Sequence, residues 1–160
     1  MLDRRIFSYA KLQRHMLGTT KYITLEGAKK MMAAAEAKAR KNEWNMAIAI
    51  VDASGGLIMF QKLDETQPGS IAVAIGKART SANFKRPTKA LDDAVMGGRT
   101  PFLAVEGIIP MGGGVPVIVD GKVIGAIAAS GGTAAQDEQV AQAGLKALVK
   151  VPSFPRRGGA

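Results

Sequence analysis

From Leu25 the apolar residues recur at spacings of three and four: Leu25, Ala28, Met32, Ala35 and Ala39 form one stripe of a helix. Thr24 stands in front of that stripe as an N-cap. Glu26–Lys30 and Glu36–Arg40 occupy the favourable i,i+4 order on the opposite side, so the pattern predicts a helix to about Lys41. Between Asn45 and Asp52 the rhythm gives way to a nearly unbroken apolar run, too short for a core helix and suited to a buried strand. Asp52-Ala-Ser-Gly-Gly56 is turn chemistry, and Leu57 to Leu63 returns as a second strand, which predicts a hairpin.

After Pro68-Gly69 the helical pattern resumes. Ser70 is placed to cap a helix through Phe84, with Ile71, Ala74, Ile75, Ala78 and Ala82 on one side. The small residues Gly76, Ala78 and Ala82 leave room there for another backbone. Pro87 stops this helix, Thr88 caps a short one through about Met96, and Gly97-Gly98 ends it. Residues 99–114 read as loop with a short strand near Val105–Ile109. Val115 to Val119 and Lys122 to Ala129 then flank Asp120-Gly121, a dipeptide suited to the type I′ hairpin turn. Gly131-Gly132-Thr133 opens a final amphipathic helix that ends before Pro152. Hairpins imply antiparallel pairing and the helices cover the faces, so the expected class is α+β.

Composition narrows the chemistry. A chain of 160 residues without cysteine is one domain that builds its core without disulfides, and thiolate catalysis and cysteine-zinc sites are excluded. The single histidine, His15, rules out a multi-histidine metal site within one subunit; no metal site is expected. No stretch has the length and apolarity of a membrane span and no secretory pattern is evident, so a soluble cytoplasmic protein is expected.

The net charge of +9 is concentrated at the ends: residues 1–21 carry five basic and one acidic group, residues 150–160 three basic groups, and the body between them fourteen basic against twelve acidic. These basic ends attract polyanions without sequence preference. With one Trp, two Tyr and five Phe, there is little material for base stacking, and no specific nucleic-acid partner is expected.

The candidate chemistry lies mainly in two glycine clusters. Met111-Gly112-Gly113-Gly114 either presents backbone amides to an anion or is a tight turn with positive φ. Ser130-Gly-Gly-Thr133, with Asp137 one turn on, either offers a helix N-terminus to an anionic ligand or is ordinarily capped by Thr133. No nucleotide fingerprint accompanies them. Lys77, four residues after Val73, is the cation of the central helix placed to point inward. Asn83 is either a carbonyl-orienting amide or a helix C-cap. Arg99 and Glu106 flank an otherwise apolar loop and read as a charge clamp and acid–base, or as an intersubunit ion pair.

Pro110-Met-Gly-Gly-Gly-Val-Pro116, Asp120-Gly-Lys-Val-Ile-Gly-Ala-Ile-Ala-Ala-Ser-Gly-Gly-Thr133 and Gln136-Asp137 together resemble the haem-binding GlcG/HbpS family, which includes the PduO C-terminal domain. Ala47-Ile-Ala-Ile-Val-Asp-Ala-Ser-Gly-Gly-Leu57 is similar to the family's first hairpin, and Lys77-Ala-Arg-Thr80 with Phe84 and Pro87-Thr88 to its central helix.

The resemblance spans residues 22–149, leaving 1–21 as a basic extension and 150–160 as a basic tail. It implies a profilin-like fold with a five-stranded antiparallel sheet, and a homo-oligomer of four to eight subunits. The implied ligand is haem or another tetrapyrrole; the residues themselves suit a small organic acid. Haem-holding relatives use a histidine, but His15 lies before the shared region and matches no family position, which leaves Met, Tyr22 or a hydroxyl as substitutes. Ala128 stands where the family pattern has glycine. The competing reading is a cofactor-independent lyase, isomerase or hydrolase of a small carboxylate or hydroxylated ring. There Glu106 is the acid–base, Arg99 or Lys77 the clamp, and the glycine-loop amides an oxyanion hole.

Overall fold

A computed structural model describes residues 16–149. His15, most of the basic extension and the tail from residue 150 onward lie outside the described residues. Helix α1 (Leu25–Lys41) precedes strands β1 (Ala47–Asp52) and β2 (Leu57–Lys62), then helices α2 (Ser70–Phe84) and α3 (Thr88–Met96). A 3-10 turn over Thr100–Ala104 leads to β3 (Gly114–Val119), β4 (Lys122–Ser130) and α4 (Ala134–Val149). The strands form one antiparallel sheet in the order β2-β1-β4-β3.

The architecture is α+β, as the pattern predicts, but the described residues contain four strands rather than five. The strand expected near Val105–Ile109 does not form. Pro101 sits at the start of the 3-10 turn, Gly107 takes φ +76°, and Pro110 has no amide to donate to a ladder.

Strand alternation divides the core between the two faces of the sheet. Ile48 and Ile50 of β1 and Ile127 of β4 point toward α1 and α4, where Met31, Met32, Ala35, Val140 and Ala141 complete an apolar cluster. Ala47, Ala49 and Val51, with Ala126 and Ala128, point the other way and meet Ala74, Ala78 and Ala82 of α2. That second face is built almost wholly of alanine, so helix and sheet pack with short side chains between them. The close approach brings the long side chain of Lys77 within reach of a β4 carbonyl.

The turns follow their residues. Asp120 and Gly121 take φ +50° and +73°, as a type I′ turn requires. At the first hairpin the Asp52 carboxylate accepts hydrogen bonds from Ser54 N (2.8 Å), Ser54 Oγ (2.7 Å) and Gly56 N (2.9 Å). These bonds hold its pKa below the ordinary carboxylate value, the Ser54 hydroxyl contributing most. Thr24 caps α1 by accepting from Gly27 N at 3.1 Å. Thr133 and Gln136 form a reciprocal capping box at α4: Gln136 N donates to Thr133 Oγ1 (3.3 Å) and Thr133 N to Gln136 Oε1 (2.9 Å).

Candidate functional site

Ser70, Val73 and Lys77 lie on one face of α2, at spacings of three and four, and look across toward the start of α4. Lys77 is 1 % exposed. Its ammonium donates to Asp137 Oδ2 at 2.7 Å and to the Ala129 carbonyl at 3.3 Å. Asp137 is equally enclosed, and its second carboxylate oxygen accepts from Gly132 N at 3.0 Å. Burial pushes the Asp137 carboxyl above the ordinary carboxylate value, and the opposing pull of Lys77 and of the glycine amides only partly offsets it. The pair ties α2 to α4 through the end of β4.

Within the glycine triplet, Gly113 leaves the space that this pair fills, and Gly114 lies against the backbone of α2. Gly113 takes φ +121°, and a Cβ on it would lie 2.6 Å from Asp137 Cβ and 3.0 Å from Lys77 Nζ. A Cβ on Gly114 would lie 2.7 Å from the Lys77 carbonyl oxygen and 2.9 Å from Thr88 Cγ2. Three of the amides read as candidates for an anionic ligand have partners within the chain. Gly112 N donates to Asp92 Oδ2 (2.9 Å), Gly114 N to Thr88 Oγ1 (2.8 Å) and Gly132 N to Asp137 Oδ1. The chain's own carboxylates and a threonine hydroxyl occupy the nests, because buried amides need partners within the fold. Thr88, expected as a helix cap, is spent on Gly114 instead; α3 begins behind Pro87 without a side-chain cap.

Beside the pair opens a cleft of roughly 400 Å³, bounded by the first two turns of α2, Met111-Gly112, Ser130-Gly131-Gly132 and the first turn of α4. Its size is at the lower end for small-molecule sites. Ser70, expected as the cap of α2, is instead the first residue of the helix, behind Gly69, and no side chain caps that end. Ser70 is 1 % exposed, yet its hydroxyl has no hydrogen-bond partner. No acidic residue stands in the first turn of α2 to offset the positive end of its dipole. Asp92 of α3 brings a carboxylate to the opposite wall, and Met111 stands half exposed at the rim.

Of the residues singled out from sequence, the fold gathers Lys77, Met111, Gly112, Ser130 and Asp137 around this cleft, with Gly113 and Gly114 packed behind them. Thr133 lies beside the cleft and is engaged in capping. Asn83 is exposed near Gly55 at the first hairpin, and Lys85 in the left-handed conformation, rather than Asn83, caps the end of α2. Arg99 and Glu106 are exposed on the loop outside the cleft lining, with Arg99 over the Phe102 ring at 4.8 Å.

Two wall residues escaped the sequence reading as site residues. Ser70 was indistinguishable from a cap by position, although its i,i+7 relation to Lys77 placed both on one face. Asp92 carried no signal, since one aspartate of an Asp-Asp pair in a short helix is ordinarily solvated. Among the described residues no group of three metal-ligating side chains comes together, and no helix is long and apolar enough to cross a membrane.

Comparison with known proteins places this geometry among relatives. The model of the family described as haem degrading protein HbpS-like matches residues 23–146. Protein GlcG of Escherichia coli strain K12 is 39 % identical over 103 residues, covering 64 % of this chain and 77 % of its own length. A crystal structure of a double mutant of HbpS from Streptomyces reticuli superposes with a TM-score of 0.76 at 30 % identity, covering 82 % of this chain and 90 % of that one. A crystal structure of a PduOC–haem complex gives a TM-score of 0.73 at 26 % identity, covering 79 % and 95 %.

Proposed function

The chain belongs to the HbpS-like family, and we propose that it is a small-molecule-binding protein, working as a homo-oligomer, whose ligand seats in the cleft between α2 and α4. The observation that carries this reading is the Ser70 hydroxyl, buried in the cleft wall at an uncapped helix start and left without a partner. Native folds leave few such groups unsatisfied, and rotation of the Ser70 side chain toward the cleft would let a ligand oxygen supply the missing bond.

A tetrapyrrole is the first candidate, because a structural relative is a haem complex. Val73 and Ala134 would give it apolar wall and Met111 a soft donor at the rim, and a cleft of roughly 400 Å³ would hold part of the macrocycle, the rest lying outside it. Bound haem would supply an iron centre to which a thioether is a known ligand type. Lys77 is neutralised by Asp137 and Asp92 adds negative charge to the wall, so a ligand's carboxylates rest on Ser70 and the α2 N-terminus or extend to solvent. A small organic acid is the second candidate and uses the same hydroxyl and helix end.

Hemin titration tests this reading. The wild-type protein develops a shifted Soret band that saturates stoichiometrically. Val73→Trp, which fills the cleft, abolishes the shift, and Met111→Ala changes the band's position. An unchanged titration in Val73→Trp, or loss of the shift only in His15→Ala, overturns the assignment of the site.

A further inference from the structure

Among the described residues, four large apolar side chains of the segment 96–111 stand exposed: Met96 (82 %), Leu103 (62 %), Val105 and Met111. Phe102 is half-buried among them, with the Arg99 guanidinium over its ring. A run of Met, Phe, Leu and Arg is the composition of the central part of a protein–protein interface, and water-exposed apolar patches of this kind are costly unless something covers them. The segment has no strand or long helix of its own, and its 3-10 turn buries none of its residues.

We infer that this segment docks on the same segment of a second copy of this chain, across a two-fold axis, and that the partner walls the open side of the ligand cleft. The charges choose that occupant. Arg99 stands before the apolar stretch and Glu106 after it, both exposed and neither in an ion pair among the described residues. In an isologous contact residue i meets j of the partner while j meets i. Opposite charges at the two ends of one apolar segment are self-complementary under that operation. Apposing two copies antiparallel sets each Arg99 beside the other copy's Glu106 over the joined apolar centre.

Continuity with the cleft comes from Met111, which belongs to both the exposed segment and the cleft rim, and from α3, whose Asp92 lines the cleft one turn before Met96. A second copy seated here closes a pocket that a single subunit leaves open. This part rests on the ligand site proposed above; the docking contact itself does not.

Light scattering on the full chain, with hemin titration alongside, tests both parts. Arg99→Glu and Glu106→Arg each shift the protein to a smaller species, and the double reversal Arg99→Glu/Glu106→Arg restores the wild-type mass, a rescue that a merely structural loop does not give. Leu103→Asp also dissociates the assembly, and its hemin affinity falls by about tenfold or more. Wild-type mass retained in Leu103→Asp and both single reversals, a monomeric wild type, or no rescue by the double reversal overturns the contact. Dissociation with unchanged hemin affinity overturns the walling of the cleft. A Val73→Trp variant that stays assembled and binds hemin normally sinks the ligand site while leaving the contact standing.

Discussion

Replacing Lys77 with methionine isolates the central electrostatic feature of the site. The side chain keeps its length and apolar stem, but Asp137 loses the ammonium 2.7 Å from its Oδ2 and keeps the amide of Gly132. Removing one member of a buried pair costs about 3–5 kcal/mol, because the remaining charge has no solvent and no partner. A domain of this size melts about 2–4 °C lower per kcal/mol, so the loss appears as roughly 6–20 °C.

The cost depends on pH. Burial already holds the folded-state pKa of Asp137 above its value in the unfolded chain, and removing Lys77 takes away the two largest opposing influences, so the value rises further. A carboxyl whose folded pKa is raised is protonated in both states at low pH. Its penalty sets in as pH climbs above the unfolded value of 3.8, where the unfolded chain releases the proton that the fold retains, and grows until the raised folded value is passed. Lys77→Met is therefore destabilised more at pH 8 than at pH 5. Urea unfolding at the two values measures this, and Lys77→Met/Asp137→Asn, which retains an acceptor for Gly132 N, recovers at least half of the pH 8 loss. A penalty below about 1 kcal/mol, the range of exposed pairs, or one independent of pH, refutes the reasoning.

Two further outcomes follow from the same geometry. Thr88→Val keeps the shape of the side chain but removes the hydroxyl that accepts from Gly114 N, leaving a buried amide unpaired; unfolding titrations should show a loss of about 1–3 kcal/mol. Asp52 has a depressed folded pKa, so the stability it contributes is present above the unfolded carboxylate value of 3.8 and is lost as pH falls through the lower folded value. Asp52→Asn should lower the melting temperature at neutral pH and flatten the acid limb below about pH 4, so that the variant and the wild type converge there.

Much of the fold is written in local pattern. The stripe from Leu25 to Ala39, the apolar run ending at Asp52, and Asp120-Gly121 between two strands each use a short-range rule that needs no knowledge of the rest of the chain. The strand missing near Val105–Ile109 shows the limit of such rules. Apolar content alone suggested it, while Pro101, Gly107 and Pro110 dictated a turn that leaves the same apolar residues exposed.

At the site, the sequence by itself singled out two glycine clusters, whose backbone freedom is a local property, and Lys77, whose spacing of four from the apolar Val73 turns it inward. Only the tertiary structure decided what those residues do. A free amide and a satisfied amide read identically in sequence. Asp92, twenty residues before Gly112, and Asp137, sixty residues after Lys77, meet their partners through packing of α3 and α4 against the glycine-bearing edge of the sheet. Hydrogen-bond satisfaction in a folded chain is a property of pairs distant along it, and the unpaired Ser70 hydroxyl became visible only once every neighbour had been placed.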